Sequence, residues 1–110
     1  ATPEGVDELV RYCFGLRLPF FGPLQIADMA GLDVYGHVFG ILERGLGERF
    51  RAPAALGALV EQGSYGTKTG AGFFSYPPGA RERLLIERDR WYAALGALLE
   101  KLSADNTGPA

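Results

Sequence analysis

Proline and glycine divide this chain into short apolar segments, and their spacing constrains the fold more than any other feature. A proline is typical of the first turn of a helix, and a glycine often ends one. Apolar segments with helical spacing begin or end at Pro3, Pro23, Pro53, Gly15, Gly31 and Gly63. No segment alternates polar and apolar residues over the length of a strand, and "FFSY" is too short to build a sheet. The pattern therefore predicts an all-α fold of about five helices.

Three further features define the predicted helices. Thr2 precedes Pro3 and is the expected N-cap of the first helix, whose apolar face includes Cys13. A cysteine in that position is expected to fill space in the core. Asp33 is placed to cap the third helix, and the segment from Gly79 to Ser103 predicts one long terminal helix.

The predicted terminal helix carries a broad apolar stripe. Its apolar residues form two adjoining rows, made of Leu84, Trp91, Leu95, Leu98, Leu102, Leu85, Tyr92 and Leu99. The stripe either faces the core of this domain or packs in part on a partner subunit or neighbouring domain.

Gly57 and Gly96 interrupt predicted helices, where each costs about 1 kcal/mol relative to alanine. We expect them to allow close approach between helices.

Length, charge and cysteine content exclude several classes of protein. At 110 residues the chain is one domain, without room for separate cofactor and substrate domains. A net charge of -2 predicts no nucleic-acid partner, because neutralising phosphates needs a basic surface. The single cysteine allows no internal disulfide and favours a reducing cytoplasm. No apolar run approaches the roughly 20 residues that span a bilayer, so no membrane partner is predicted.

The stretch "GSYGTKTGAGFFSY", from Gly63 to Tyr76, has the composition of a phosphate-binding loop but not its order. A P-loop needs a glycine directly before its lysine, whereas Lys68 follows Thr67. We therefore predict a structural loop in which glycines turn the chain, aromatic residues anchor it and Lys68 bonds carbonyls at a helix end. The residues of this structural loop are Gly66, Lys68, Gly70, Gly72 and Phe73.

The remaining reactive residues do not form a catalytic or metal site in the sequence. His37 follows Asp33 by one helical turn, but no nucleophile is placed to complete a triad. One histidine, one cysteine and scattered carboxylates lack metal-ligand spacing. We predict no catalytic residue and no metal in this chain. The loop containing Phe20 and Phe21 is either a rigid loop that packs its own aromatics or an apolar wall for a ligand or partner.

Two motifs occur in a fixed order along the chain. The first is "FGLRLPFFGPLQIADMAGLDV", from Phe14 to Val34, and the second is "PAALGALVEQGSYGTKTGAGFFSY", from Pro53 to Tyr76. The characteristic positions are Gly22, Pro23, Ala27, Asp28, Gly31, Leu32, Asp33, Leu59, Val60, Gly63, Gly66, Lys68, Thr69, Gly70, Gly72 and Phe73. Together the motifs resemble the C-terminal domain of the L-3-hydroxyacyl-CoA dehydrogenases.

The resemblance implies a helical domain of the 6-phosphogluconate-dehydrogenase C-terminal-like type, truncated at its N-terminal helix. Residues 1–103 correspond to part of that domain, and residues 104–110 are expected to be a flexible tail. In the intact enzyme such a domain follows a Rossmann-type domain and joins two subunits into a homodimer. NAD and the catalytic histidine belong to the preceding domain, so the resemblance implies that this chain binds no cofactor.

For the acyl-CoA substrate, the resemblance implies an apolar wall. Its residues are Leu18, Pro19, Phe20, Phe21, Gly22 and Pro23. The family also carries an asparagine in a Phe-x-x-Asn-Arg helix, but the one asparagine of this chain is Asn106, in the tail. The chain alone is therefore expected to be inactive. Two alternatives stay open: a standalone helical interaction module, and a related dehydrogenase of a non-CoA hydroxy acid.

Overall fold

The computed structural model describes residues 1–105, and within that range it contains five α-helices and no β-strand. The helices are α1 (Pro3–Val10), α2 (Pro23–Ala30), α3 (Leu32–Leu46), α4 (Ala54–Glu61) and α5 (Ala80–Asp105). A π-helix covers Arg11–Gly15, and a 3₁₀ turn covers Glu48–Phe50. Isolated bridges join Gly66 to Ala71 and Ala71 to Ser75. The predicted all-α class is confirmed.

The chain divides into two compact units. Unit 1 contains Ala1–Gly22 together with the described residues from Arg83 onward, and unit 2 contains Pro23–Glu82. The boundary after Gly22 falls inside the predicted substrate loop, so its first five residues belong to unit 1 and Pro23 belongs to unit 2.

Unit 1 begins with the predicted cap. The Thr2 hydroxyl accepts a hydrogen bond of 3.0 Å from the backbone N–H of Gly5, and Pro3 opens α1. Cys13 lies in the π-helix and is exposed, so the prediction that it fills the core is wrong. The physical reason is that no residue of α1 or of the π-helix is buried, which leaves the apolar face of this segment uncovered.

Unit 2 is built around a small core on α2, α3 and α4. Ala27, Leu32 and Leu56 are its buried members. Half-buried residues that pack against them are Tyr35, Phe39, Ala52, Leu59, Val60 and Phe73. Since α3 contacts both α2 and α4, the core lies along one side of α3. Phe73 brings the glycine-rich loop onto the same core.

Three local expectations differ from the structure. Asp33 does not cap α3: the helix begins at Leu32, Gly31 is its N-cap, and no side chain caps it. A Cβ atom added at Gly57 or Gly96 would meet nothing within 4 Å, so neither glycine permits a close helix contact within the described residues. Gly57 lies in α4 and Gly96 lies in α5, and each glycine faces open space.

The terminal helix runs two residues beyond the predicted end. Helix α5 continues through Asp105, and residues 106–110 of the predicted tail lie outside the described residues. Among the helices that are described, none is both long and apolar enough to cross a membrane.

Candidate functional site

Asp28 is the most deeply buried charged residue of the described chain, with an exposed fraction of 0%. Its Oδ1 accepts a 3.0 Å hydrogen bond from the N–H of Phe73, and its Oδ2 accepts one of 3.0 Å from the N–H of Phe74. The Tyr76 hydroxyl donates a third bond, of 2.8 Å, to Oδ2. A buried carboxylate is tolerated where hydrogen bonds replace its hydration. Here three donors from one loop do so.

The main chain of Asp28 holds the other side of the same loop. Its carbonyl accepts a 3.0 Å hydrogen bond from the N–H of Thr67, with the Thr67 hydroxyl 3.5 Å away. We call Asp28, Thr67, Phe73, Phe74 and Tyr76 the Asp28 network. The network joins α2 to a distant loop, since Thr67 follows Asp28 by 39 positions in the chain.

Two glycines make room for the Asp28 network. At Gly66, where φ is +112°, an added Cβ would collide with the backbone carbonyl of Asp28. At Gly72, an added Cβ would collide with the Asp28 carboxylate. At Gly66 the positive φ and the close approach both favour glycine, and at Gly72 the close approach alone leaves no room for a side chain, so both glycines are required for packing against α2.

Tyr76 is altered by its position in this network. Burial raises the pKa of its hydroxyl above the ordinary value of 10.0, and the hydrogen bond to Asp28 and the negative charge of that residue raise it further. Each effect disfavours the phenolate, by removing water or by placing a second negative charge nearby. The phenol therefore remains a hydrogen-bond donor over an extended pH range.

Lys68 forms a second connection between the two motifs. Its Nζ lies 2.6 Å from Oδ1 of Asp33 and 5.6 Å from the centre of the Tyr65 ring. The predicted bonds from Lys68 to helix-end carbonyls are replaced by this ion pair, which lowers the pKa of Asp33. The carbonyl of Tyr65 also accepts a 2.8 Å bond from the N–H of Leu32. The start of α3 is thus held by the loop.

The backbone N–H groups of the glycine-rich loop are engaged within the protein. Internal acceptors receive the N–H groups of Gly66, Thr67, Thr69, Gly70, Gly72, Phe73 and Phe74. A phosphate-binding loop needs several of these donors to point at the ligand. The glycine-rich loop therefore does not offer the free N–H donors that a nucleotide phosphate needs.

Neither His37 nor Cys13 belongs to the Asp28 network. His37 is exposed on α3, and Cys13 is exposed in unit 1. Within residues 1–105, no group of three or more histidine, cysteine, aspartate or glutamate side chains is arranged to hold a metal ion.

The aromatic residues of the predicted substrate loop pack within unit 1. The ring centre of Phe20 lies 5.4 Å from that of Trp91 and 6.0 Å from that of Tyr92. Phe21 is buried and stacks on Trp91 at 5.6 Å. Leu18 is about half exposed. The loop is therefore held by contacts between its phenylalanines and α5, while Leu18 faces solvent.

Unit 2 contains an apolar cavity of about 400 Å³. It is lined by Pro23, Leu24, Ala27, Leu32, Tyr35, Phe39, Pro53, Ala55, Leu56 and Phe73. The three buried core residues, Ala27, Leu32 and Leu56, are among them. Pro23, the last residue of the predicted substrate loop, lies at this cavity.

The sequence identifies Phe73 as a residue of the structural loop but does not predict that Asp28 binds it. Asp28 and its partners lie in different motifs. The available signal was a carboxylate inside the short apolar helix "PLQIADMA", since a charge on a buried helix face needs partners.

A family profile described as "3-hydroxyacyl-CoA dehydrogenase, C-terminal domain" matches residues 1–76. The fatty acid oxidation complex subunit alpha of Shewanella frigidimarina is 41% identical over 78 residues, which are 71% of this chain and 11% of that protein. The protein of the same name from Shewanella sp. strain MR-4 is 45% identical over 77 residues, 69% of this chain and 10% of that one. This chain thus spans about a tenth of the length of these relatives.

A solved structure agrees with these matches. The crystal structure of a 3-hydroxyacyl-CoA dehydrogenase from Archaeoglobus fulgidus aligns with a TM-score of 0.75 and 31% sequence identity. The alignment covers 87% of this chain and 34% of that one. Both motifs, and with them every residue of the Asp28 network, lie within the span of the family profile. The chain therefore belongs to the family of 3-hydroxyacyl-CoA dehydrogenase C-terminal domains.

Proposed function

We propose that this chain is the substrate-side and dimerisation domain of an NAD-dependent 3-hydroxyacyl-CoA dehydrogenase in fatty acid metabolism. The observation that carries the proposal is the family match over residues 1–76, which contains both sides of the Asp28 network. The names of the Shewanella and Archaeoglobus relatives supply the reaction class. In that reaction a 3-hydroxyacyl-CoA becomes a 3-oxoacyl-CoA as a hydride passes to NAD.

The chemistry of the reaction lies outside this chain in our proposal. The glycine-rich loop has its N–H donors bonded internally, and His37 is exposed on α3 without a nucleophile placed by the motifs. A Rossmann-type domain of the same protein would bind NAD and supply the acid–base residue. The loop from Leu18 to Pro23 would form a wall of the acyl-CoA site. The enzyme is proposed to act in the cytoplasm.

Formation of NADH, followed at 340 nm, tests this division of work. With NAD and 3-hydroxydecanoyl-CoA, we expect no turnover by the 110-residue chain. A longer protein carrying this domain behind its Rossmann-type domain is expected to oxidise the thioester. Turnover by the short chain would contradict the proposed division. Oxidation of free 3-hydroxydecanoate in place of the thioester would favour the non-CoA alternative.

Self-association through this domain is supported by its exposed apolar side chains. In unit 1, Leu9 is 64% exposed and Phe14 is 65% exposed, and in unit 2, Val34 and Ile41 are each 50% exposed. Exposed apolar patches commonly mark interfaces. We expect sedimentation velocity at micromolar concentration to detect a dimer. A purely monomeric chain under these conditions would count against dimerisation through this domain.

A further inference from the structure

The backbone alone fixes the phenylalanine-containing loop of unit 1 only weakly. The N–H groups of Phe20 and Phe21 both donate to the carbonyl of Arg17, at 3.3 and 3.4 Å. These distances exceed the usual range of about 2.7–3.2 Å for such bonds. The position of the loop must therefore depend on the contacts of its side chains.

Both phenylalanine rings of the loop contact one side chain of α5. The Phe20 ring lies 5.4 Å from the Trp91 ring at an interplanar angle of 36°, and the Phe21 ring lies 5.6 Å from it at 29°. Tyr92 adds a ring 6.0 Å from Phe20. Aromatic pairs attract at centre-to-centre distances of about 4.5–7 Å. Trp91 is thus the shared contact of two consecutive loop residues.

The loop has an inner face on α5 and an outer face in solvent. Phe21 is 3% exposed, so its ring is available to a ligand only if the contact with Trp91 breaks. Leu18 is 49% exposed, and Pro19 and Gly22 are exposed as well. A ligand that leaves the rings in place therefore meets the outer face. The location of that face is set by the rings of the inner face.

We propose that Trp91 is a positioning residue for the acyl-CoA substrate, which holds the loop from Leu18 to Gly22 in place and does not itself touch the ligand. The inference rests on the proposed function, because that function makes this loop a wall of the acyl-CoA site. The family profile ends at residue 76, whereas Trp91 lies in α5. The residue that positions the loop therefore lies outside the profile that contains the loop.

Steady-state kinetics test this role in the longer protein that carries this domain behind its Rossmann-type domain. Trp91→Leu keeps an apolar side chain but removes the stacking surface. The KM for 3-hydroxydecanoyl-CoA should rise at least about fivefold, while kcat stays within about twofold. A contact made equally in the ground state and the transition state changes KM alone. The KM for NAD should not change, and a partly unfolded variant would instead show a lower maximal rate with both KM values unaltered.

Two further variants separate the aromatic contact from a general effect on α5. Trp91→Phe keeps an aromatic ring and should restore the KM for the thioester to within about twofold of the wild type. Ile86→Ala removes apolar bulk from the same helix at a side chain that is 69% exposed, and should leave both KM values unchanged. Circular dichroism of all three variants establishes that each remains helical.

A double-mutant cycle tests whether Trp91 acts through the loop. Phe20→Leu removes a ring on the other side of the same contact. Residues that share one contact have non-additive effects. The rise in KM for the thioester in Trp91→Leu/Phe20→Leu should therefore fall well below the product of the two single rises. A rise equal to that product would mean that the two residues act independently and would overturn the inference.

Failure of the inference differs from failure of the proposed function. If the wild-type longer protein oxidises 3-hydroxydecanoyl-CoA but Trp91→Leu leaves its KM unchanged, or Trp91→Phe does not restore it, the role of Trp91 is wrong and the function stands. An equal rise in the KM for NAD would likewise overturn the inference. If the wild-type longer protein oxidises no 3-hydroxyacyl-CoA, the function is wrong and the inference falls with it.

Discussion

The hydroxyl of Tyr76 donates a 2.8 Å hydrogen bond to the carboxylate of Asp28, 48 residues earlier in the chain. The N–H groups of Phe73 and Phe74 donate to the same carboxylate, each at 3.0 Å. One side chain of α2 thereby fixes the path of the loop that closes the family's second motif.

Asp28→Asn should destabilise the chain strongly. The amide keeps the shape of the carboxylate, but its NH₂ group cannot accept a hydrogen bond and leaves buried donors of the loop unpaired. We expect the free energy of unfolding in urea to fall by about 2–4 kcal/mol. Asp89→Asn is the control, because the Asp89 side chain is 71% exposed. Equal urea midpoints for the two variants would contradict an anchoring role of Asp28.

Tyr76→Phe should have a smaller effect in the same direction. The ring remains, while its hydrogen bond to a buried carboxylate is lost, and we expect about 1–2 kcal/mol less stability in urea. Tyr12→Phe removes a hydroxyl from a tyrosine that is 42% exposed and should leave the midpoint within error. If Tyr76→Phe were as stable as the wild type, the hydrogen bond to Asp28 would stabilise the fold no more than water stabilises the free hydroxyl in the unfolded chain.

The raised pKa of Tyr76 predicts a loss of stability in alkali. The unfolded chain has the ordinary value of 10.0, and the folded value is higher. The stabilisation is therefore complete below pH 10.0 and is lost as the pH rises through the folded pKa. Chemical denaturation at successive pH values should give a steeper alkaline decline for wild type than for Tyr76→Phe. Parallel declines would argue against a shifted Tyr76.

The Lys68–Asp33 ion pair predicts a loss of stability in acid, whereas the shifted pKa of Tyr76 predicts a loss in alkali. Its lowered pKa means that Asp33 stabilises the fold above the ordinary value of 3.8, and that this contribution is lost as the pH falls through the folded pKa. Lys68→Met should make the acid decline in stability shallower. Arg81→Met, which removes another exposed positive charge of unit 2, is the control for net charge. Identical acid profiles for wild type and Lys68→Met would contradict the ion pair.

Gly66→Ala and Gly57→Ala should change stability in opposite directions. At Gly66 the positive φ and the carbonyl of Asp28 oppose a methyl group, and we expect a loss of about 1–3 kcal/mol. At Gly57, within α4, the added Cβ meets nothing within 4 Å. Alanine there should stabilise the helix by up to about 1 kcal/mol. Thermal unfolding of the pair measures both, and a stabilised Gly66→Ala variant would refute the close approach.

Features set by neighbouring residues could be predicted from the sequence. Thr2 and Pro3 begin α1, and Pro23 begins α2, because capping and the fixed φ of proline act within one turn. The five helices and the absence of regular strands in the described residues follow from the same local signals. The fold class could therefore be predicted from the sequence alone.

Features set by distant residues could not be predicted in the same way. Helical spacing placed Cys13 on an inner face, but spacing does not state what covers that face, and the residue is exposed. The sequence predicts that Lys68 bonds helix-end carbonyls, because the rule for such bonds concerns neighbouring residues. Its actual partner, Asp33, lies 35 positions earlier, a pairing that no rule of spacing contains. The Asp28 network was missed for the same reason.

The hydrogen bond between Tyr76 and Asp28 also limits how far the domain can be shortened from its C-terminal end. A chain shortened after Phe74 would keep both amide donors but lose the phenol, whereas one shortened after Pro77 would keep all three. The family profile likewise ends at residue 76. A shortened form of unit 2 keeps the complete Asp28 network only if it extends at least to Tyr76, the residue whose hydroxyl supplies the third donor.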